Sequence, residues 1–282
     1  MDYMMSIIYC KKGMIYMAYF MDSMTVKDME EILQLTKTVI IPVGLMEQHG
    51  YHLPLSTDLY NATEVPKRAG EKLNAVIAPP VNYCYSGGEL PGTVNISPQV
   101  FSLLITDICS EFTRMGFINI VIFLGHGGTE NKNALTGSLQ LFLRRNKHLK
   151  DITISLVGCW ELSPTWLQYF NMEPEHDFHA GQVETALMMY WKPELVRKNI
   201  DMDEPHIARM MRTDCDWFEM SEKTPDHEFI IPRTYQREEI KVGVMGFPER
   251  ATKELGEKIC NEMVEGLIEY VAYLERKDRI KG

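Results

Sequence analysis

Residues 117–124 have the sequence FINIVIFL, an almost purely apolar run, and residues 125–128 (GHGG) follow it directly. A run of this length suits a buried strand better than a helix. Three more short apolar runs are predicted as strands, at residues 38–44, 75–81 and 152–158. Continuous rather than alternating apolar strands, separated by helical segments, indicate a parallel sheet covered on both faces. The sequence therefore predicts a three-layer α/β fold with a mostly parallel four-stranded sheet flanked by helices.

Most of the segments between these strands have apolar residues at helical spacing. The predicted helices cover residues 25–37, 59–74, 98–115, 130–146, 180–192 and 249–276. Asp58 stands where it can cap the second of them. Residues 193–248 differ, because they hold five prolines and many charges and show little periodicity. Such a stretch usually caps a site or forms a subunit contact.

A single domain is predicted for residues 23–282, because no repeat or low-complexity linker interrupts them. Residues 1–22 are set apart as an N-terminal extension without an assigned role. Frayed chain, an extra strand and a hairpin are the alternatives for it. Lys11 and Lys12 split its apolar residues, so that no stretch approaches the ~20 apolar residues of a membrane span.

The composition argues against some classes of binding partner. A formal net charge of −10 argues against binding to nucleic-acid phosphates or to an anionic membrane surface. The six cysteines are scattered and form no C-x-x-C pair, which fits a reducing compartment better than a disulfide framework. We therefore expect a cytoplasmic protein that acts on a small molecule.

Metal-capable side chains cluster at the ends of predicted strands, where open α/β sheets place their sites. Glu47 and His49 are two residues apart, so in an extended segment both side chains project to the same side. Asp58, just before a helix, is placed to bridge such a pair. His52 is a rival ligand in the same loop, with a solvated or supporting histidine as its alternative role.

Two further segments carry candidate ligands. His126 lies between glycines after a buried strand, where the backbone can approach a ligand closely; a plain turn is the alternative. His179 and Glu184 open a predicted helix, and Glu184 lies beside its apolar stripe. A carboxylate there is costly unless it is paired or binds a cation, although a first-turn carboxylate also complements the helix dipole.

The combined set contains two histidines, two glutamates and one aspartate, and it has no thiolate. Nitrogen and oxygen ligands of this kind suit zinc, manganese or iron(II). A bridging carboxylate with two or three ligands for each ion suits a two-metal hydrolytic centre. The sequence therefore predicts two divalent metal ions as cofactors.

At these residues the sequence resembles the creatininase (creatinine amidohydrolase) family, in its G-H-G-G branch. The matching segments are residues 42–50 with Asp58, 91–93, 125–128 and 179–185. The resemblance implies the α/β fold, a dinuclear metal centre, hydrolysis of a non-peptide C–N bond, and assembly into a homo-oligomer such as a hexamer.

The resemblance also implies a role for individual residues. Glu47 and His126 resemble ligands of one ion and His49 of the second, with Asp58 bridging. Creatininase has a further glutamate ligand where this chain has Gly128, and Glu184 resembles its replacement. The remaining matches are His179 as the proton-shuttling histidine, Trp160 as an aromatic wall of the substrate pocket, and Ser86 as the pocket serine.

The expected function is hydrolysis of a small cyclic amide or a formamide, with creatinine as one candidate. The second tryptophan that creatininase has upstream of the third motif is absent, and residues 175–178 (EHDF) occupy that stretch. The substrate is therefore left open. The alternative function is a non-catalytic homologue that binds a metabolite or nucleotide in the same cleft.

Overall fold

The computed structural model describes residues 19–276 of the chain. Its central sheet has five strands: β1 (Tyr19–Phe20), β2 (Thr38–Val43), β3 (Val76–Ile77), β4 (Asn119–Leu124) and β5 (Thr153–Gly158). Their order across the sheet is β1-β3-β2-β4-β5, and every neighbouring pair is parallel. The predicted α/β class is confirmed.

Eight α-helices accompany the described strands. They are α1 (Val26–Ile32), α2 (Thr57–Ala69), α3 (Pro98–Met115), α4 (Thr129–Arg145), α5 (Pro164–Phe170), α6 (Gln182–Trp191), α7 (Pro205–Thr213) and α8 (Lys253–Glu275). Among residues 19–276, none of these helices is long and apolar enough to cross a bilayer.

Alternate residues along the strands enter two different cores. In β2, Ile40 packs with the helices α2, α6 and α8, whereas Val39 and Ile41 pack with α1, α3 and α4. Successive side chains of a strand point to opposite faces, so an all-apolar strand must be covered on both. This is why continuous apolar runs predicted the three layers correctly.

The structure corrects several of the predicted boundaries. The sheet has five strands rather than four, because Tyr19–Phe20 adds an edge strand beside β3. The second predicted strand shrinks to Val76–Ile77, and α1 ends at Ile32. Asp58 does not cap α2; Ser56 precedes that helix, and Asp58 lies in its first turn. Residues 1–18 of the predicted extension lie outside the described residues.

The segment 193–248 is more ordered than its composition indicated. It contains α7 and an antiparallel hairpin of β6 (Glu219–Glu222) and β7 (Arg233–Gln236). It also supplies most of a third apolar group, here called the outer cluster. The outer cluster consists of Leu90, Phe178, Ile207, Met211, Trp217, Phe218, Ile240 and Met245.

Two buried aspartates organise this segment: Asp203 ties two parts of it together, and Asp177 joins it to the start of α6. Asp203 accepts hydrogen bonds from three consecutive backbone N–H groups, those of residues 241–243, at 2.6 to 2.9 Å. Asp177 accepts bonds from the N–H groups of Gln182 and Val183 at the start of α6, and from that of Phe247. Each carboxylate therefore satisfies three backbone donors, as buried polar groups require.

Candidate metal centre and its cavity

Five predicted ligands come together at the carboxyl-terminal edge of the sheet. Glu47 and His49 lie in the loop after β2, and His126 follows β4. Asp58 projects from the first turn of α2, and Glu184 from the first turn of α6. The side chain of His126 is 13% exposed, and the other four are buried.

The first donor set consists of Glu47, Asp58 and His126. His126 Nδ1 lies 3.1 Å from Glu47 Oε2 and 3.2 Å from Asp58 Oδ2. Gly125, beside His126, leaves no room for a larger residue: a Cβ there would lie 2.0 Å from the carbonyl oxygen of Asp58. The GHGG sequence therefore lets the β4 loop and α2 approach closely enough to share a site.

The second donor set consists of His49, Asp58 and Glu184. His49 Nε2 lies 3.4 Å from Asp58 Oδ1 and 3.6 Å from Glu184 Oε2. Asp58 thus directs Oδ2 to the first set and Oδ1 to the second. A carboxylate that offers one oxygen to each of two sites is the arrangement expected of a bridging ligand.

The unpaired atoms at the centre test whether these residues suit cations. Glu47 Oε2, His49 Nε2, Asp58 Oδ2 and His126 Nε2 are buried without a hydrogen-bond partner. Leaving a buried polar group unsatisfied costs about 1–3 kcal/mol, and buried charges are normally paired or bound to metals. Three carboxylates and two imidazoles fit two divalent ions, and nitrogen and oxygen donors suit zinc, manganese or iron.

The electrostatics of the metal-free site show what a cation would replace. Burial lowers the pKa of His49, but the carboxylates of Asp58 and Glu184 outweigh it and raise that pKa well above its usual value. Burial also lowers the pKa of His126, and Glu47 and Asp58 raise it well above the usual value in the same way. Protons on the imidazoles therefore balance the carboxylates until a metal displaces them.

Neighbouring groups hold the ligand carboxylates in place. Asn61 donates its amide to Glu184 Oε1 at 3.1 Å, and the N–H of Ala180 donates to Oε2 at 2.7 Å. Ser86 donates its hydroxyl to Glu47 Oε1. Such outer contacts orient metal ligands. Asn61 was missed in the sequence, although it follows Asp58 by three residues and thus shares its helix face.

His179 lies at the edge of the centre. Its Nε2 is 2.8 Å from the carbonyl oxygen of Gln48, and its Nδ1 is 4.0 Å from Glu47 Oε2. The Gln48 carbonyl accepts a hydrogen bond when Nε2 is protonated, and the Gln48 side-chain amide, 3.0 Å from the same Nε2, donates one when it is not. In either tautomer Nδ1 faces the centre. Glu47, His49 and His179 also form a third potential donor set.

His52, the rival ligand, belongs to none of the three donor sets of the centre. It is buried, and its Nε2 lies 3.0 Å from the hydroxyl of Thr185. Burial first, and then the nearby His49, lower the pKa of His52 to about 4. The ring is therefore neutral near pH 7, and it contacts α6 through the hydroxyl of Thr185.

A cavity of about 260 Å³ opens from the metal centre. His179, Ser86 and Trp160 line it, as do four of the five ligands. Six members of the outer cluster form much of the remaining wall: Leu90, Phe178, Met211, Phe218, Ile240 and Met245. Sequence reasoning missed these six, because they come from segments far apart in the chain and form no motif.

The fold and the site together define an α/β protein with a donor set for two metal ions that share one aspartate. Residues 22–271 match the model of the creatininase family, described as creatinine amidohydrolase. The chain therefore belongs to the creatininase family, as the sequence motifs predicted.

Two relatives show how far the likeness extends. A creatinine amidohydrolase of Pseudomonas putida is 28% identical over 181 residues, which are 59% of this chain and 69% of the relative. A mycofactocin precursor peptide peptidase of Mycolicibacterium smegmatis is 30% identical over 245 residues, which are 81% of each chain. Two proteins with different substrates thus match the same domain.

Solved structures support the fold. A creatinine amidohydrolase (creatininase) structure superposes with a TM-score of 0.73 at 23% identity, covering 91% of this chain and 98% of its own. A manganese creatininase gives the same values. A mutant creatininase of Zn-Zn type gives a TM-score of 0.72 at 24% identity, with 91% and 98% covered.

Proposed function

We propose that this chain is a dinuclear metal-dependent hydrolase that cleaves a non-peptide C–N bond in a small amide. The observation that carries the proposal is the division of the Asp58 carboxylate between two donor sets, with Oδ2 near His126 and Oδ1 near His49. A binding-only homologue has no need of a buried carboxylate poised between two cation sites.

Glu47, Asp58 and His126 would hold one ion, and His49, Asp58 and Glu184 the other. Two divalent ions there, whether zinc, manganese or iron, supply Lewis-acid polarisation of an amide carbonyl and activation of water. The three carboxylates balance most of the charge of such a pair. Asn61 and Ser86 hold the outer oxygens of Glu184 and Glu47, so the set is organised before substrate enters.

His179 moves the proton in this proposal. In the tautomer whose Nε2–H donates to the Gln48 carbonyl, Nδ1 is left to take up a proton and deliver it to the leaving nitrogen. An amide nitrogen leaves poorly unless it is protonated, and a histidine exchanges protons readily near neutral pH. Trp160 offers an aromatic wall to the substrate. Ser86 acts chiefly through Glu47, because its hydroxyl already donates to that carboxylate.

Support for hydrolysis of a C–N bond comes from the family and from the relatives. One relative is named for creatinine and another for a precursor peptide, so the restriction to non-peptide bonds rests on the motifs shared with creatininase and not on the relatives. We assign this chain to small cyclic amides or formamides, with creatinine as the first candidate to assay. The scattered cysteines support a cytoplasmic location, and the family resemblance supports a homo-oligomer such as a hexamer, which light scattering would measure directly.

Metal analysis and turnover test this proposal together. We expect about two equivalents of metal per purified chain, and hydrolysis of a member of a panel of creatinine, lactams and formamides that stops on chelation. Metal binding without turnover of any panel member would favour the metabolite-binding alternative.

The variant Glu184→Gln sharpens that test. It should lose one ion selectively and retain the other, because Gly128 leaves no neighbouring carboxylate to take over. The new amide would also face two donors, the N–H of Ala180 and the amide of Asn61. Full retention of both ions would remove Glu184 from the second set.

A further inference from the structure

The cavity beyond the metal centre has walls of two kinds. Its inner end is polar, and the buried, unpartnered Glu47 Oε2 and Asp58 Oδ2 belong to residues that line it there. If the proposed function holds, the bond to be cleaved must lie at this end. The rest of a substrate then extends outward past the outer cluster.

The outer cluster presents a broad apolar surface to that part of the substrate. Phe178, Met211 and Phe218 are three of its members that line the cavity. Phe170 adds a further ring, packed edge-to-face on Phe178 with 5.0 Å between the ring centroids. Aromatic and apolar walls bind flat or apolar groups through burial of surface.

Beyond the metal centre, the charged residues that line the cavity are all acidic. Glu130 and Asp216 line it, and among the described residues no lysine or arginine does. Glu219 lies close by: burial, then Glu130, then Asp216 raise the pKa of its carboxyl. Within residues 19–276, no ion pair includes any of these three carboxylates.

From these observations we infer that the substrate is an amide joined to an apolar group and carrying a cationic group, such as an amine or an amidine, at its far end. The amide enters the metal centre, the apolar group packs on the outer cluster, and the cation meets Glu130 and Asp216. This inference rests on the proposed function for its orientation. A carboxylate at that far end is disfavoured, because beyond the metal centre the cavity offers it two like charges and, among the described residues, no lysine or arginine.

Three para-substituted benzamides probe this arrangement directly. They are 4-(aminomethyl)benzamide, 4-ethylbenzamide and 4-carbamoylbenzenesulfonate, which carry a positive, a neutral and a negative group on one scaffold, and a sulfonate is a much weaker metal ligand than a carboxylate. Their affinities for the manganese-loaded protein are measured by calorimetry, without reference to turnover. We expect the cation to bind tightest and the anion weakest, with at least a tenfold difference between the two.

The double variant Glu130→Gln with Asp216→Asn should reduce this preference to threefold or less. Both positions are exposed, so the fold and the metal content should be unchanged. The matched control, Asp107→Asn with Glu269→Gln, removes the same charge from exposed sites on α3 and α8 and should keep the preference.

Three results would overturn the inference: tightest binding of the neutral or anionic probe, an unchanged preference in the Glu130→Gln, Asp216→Asn double variant, or no binding of any probe at millimolar concentration. The two proposals fail separately. A correct order of affinities in a protein that hydrolyses no amide would leave the preference of the cavity for a cationic ligand standing and defeat the hydrolase.

Discussion

The metal centre and the outer cluster line one cavity, and they are built in contrasting ways. Three short motifs supply the metal centre, and its buried donors include atoms without hydrogen-bond partners. The outer cluster draws on α7, the loops around the β6–β7 hairpin and the residues before α6, and it is apolar. In the proposals above, the motifs at the strand ends hold the chemistry and the outer cluster holds the selectivity.

The largest effect in this comparison is expected for Asp58→Asn. An amide cannot neutralise two cations, so the variant should lose at least one ion and fall to the background rate. That loss exceeds the ~10–100-fold expected when only an outer contact to a ligand is removed. Metal analysis and turnover measure it, with Asp107→Asn as the surface control. Retention of both ions and of activity would remove Asp58 from the centre.

His179→Ala comes next. We expect both ions to stay and turnover to fall by ~10²–10⁴-fold, the usual contribution of a general acid–base group. The ring lies at the edge of the centre, with Nδ1 4.0 Å from Glu47 Oε2. Metal content has to be determined on the same sample. Loss of an ion together with activity would make His179 a ligand, in line with its place in a third donor set.

Removal of the metal should reverse the effect of pH on stability. The pKa values of His49 and His126 are raised in the metal-free fold. The stability that they contribute is therefore present below their unfolded pKa near ~6.5 and is lost as pH rises through the raised values. The pKa of Glu47 and that of Glu184 are lowered, so these groups affect stability only in the acid range.

Thermal melts at pH 6, 7.5 and 9 check this expectation. The chelated protein should become less stable as pH rises, whereas the stabilisation by added manganese should grow, because protons no longer compete for the imidazoles. Each tenfold gain in metal affinity adds about 1.4 kcal/mol. A manganese effect that is independent of pH would show that His49 and His126 are not ligands.

The smallest effect belongs to the outer cluster. Phe218→Leu shortens a half-buried wall residue and should cost about 1 kcal/mol of stability. Both ions should remain, and the Michaelis constant should rise while the turnover number changes little. A change in metal content would show that the outer cluster affects the metal centre, and it would contradict the separation of the two regions.

The sequence predicted the residues of the metal centre far better than those of the outer cluster. Continuous apolar runs such as residues 120–124 favour strands covered on both sides, and the motifs of Glu47 and His126 lie within a few residues of the ends of such strands. Tyr19–Phe20 was not distinguished as a strand, because two residues carry no periodicity. Helix α7 and the outer cluster were missed, since their packing depends on contacts such as those of Asp203 with residues 241–243.

The central claim is that Asp58 lies between two cation sites. Anomalous X-ray diffraction from crystals of the manganese-loaded protein tests it most directly. The claim predicts two peaks, ~3.5–4 Å apart, on either side of the Asp58 carboxylate, one near Glu47 and His126 and the other near His49 and Glu184. A single peak, or peaks that Asp58 does not contact, would contradict it.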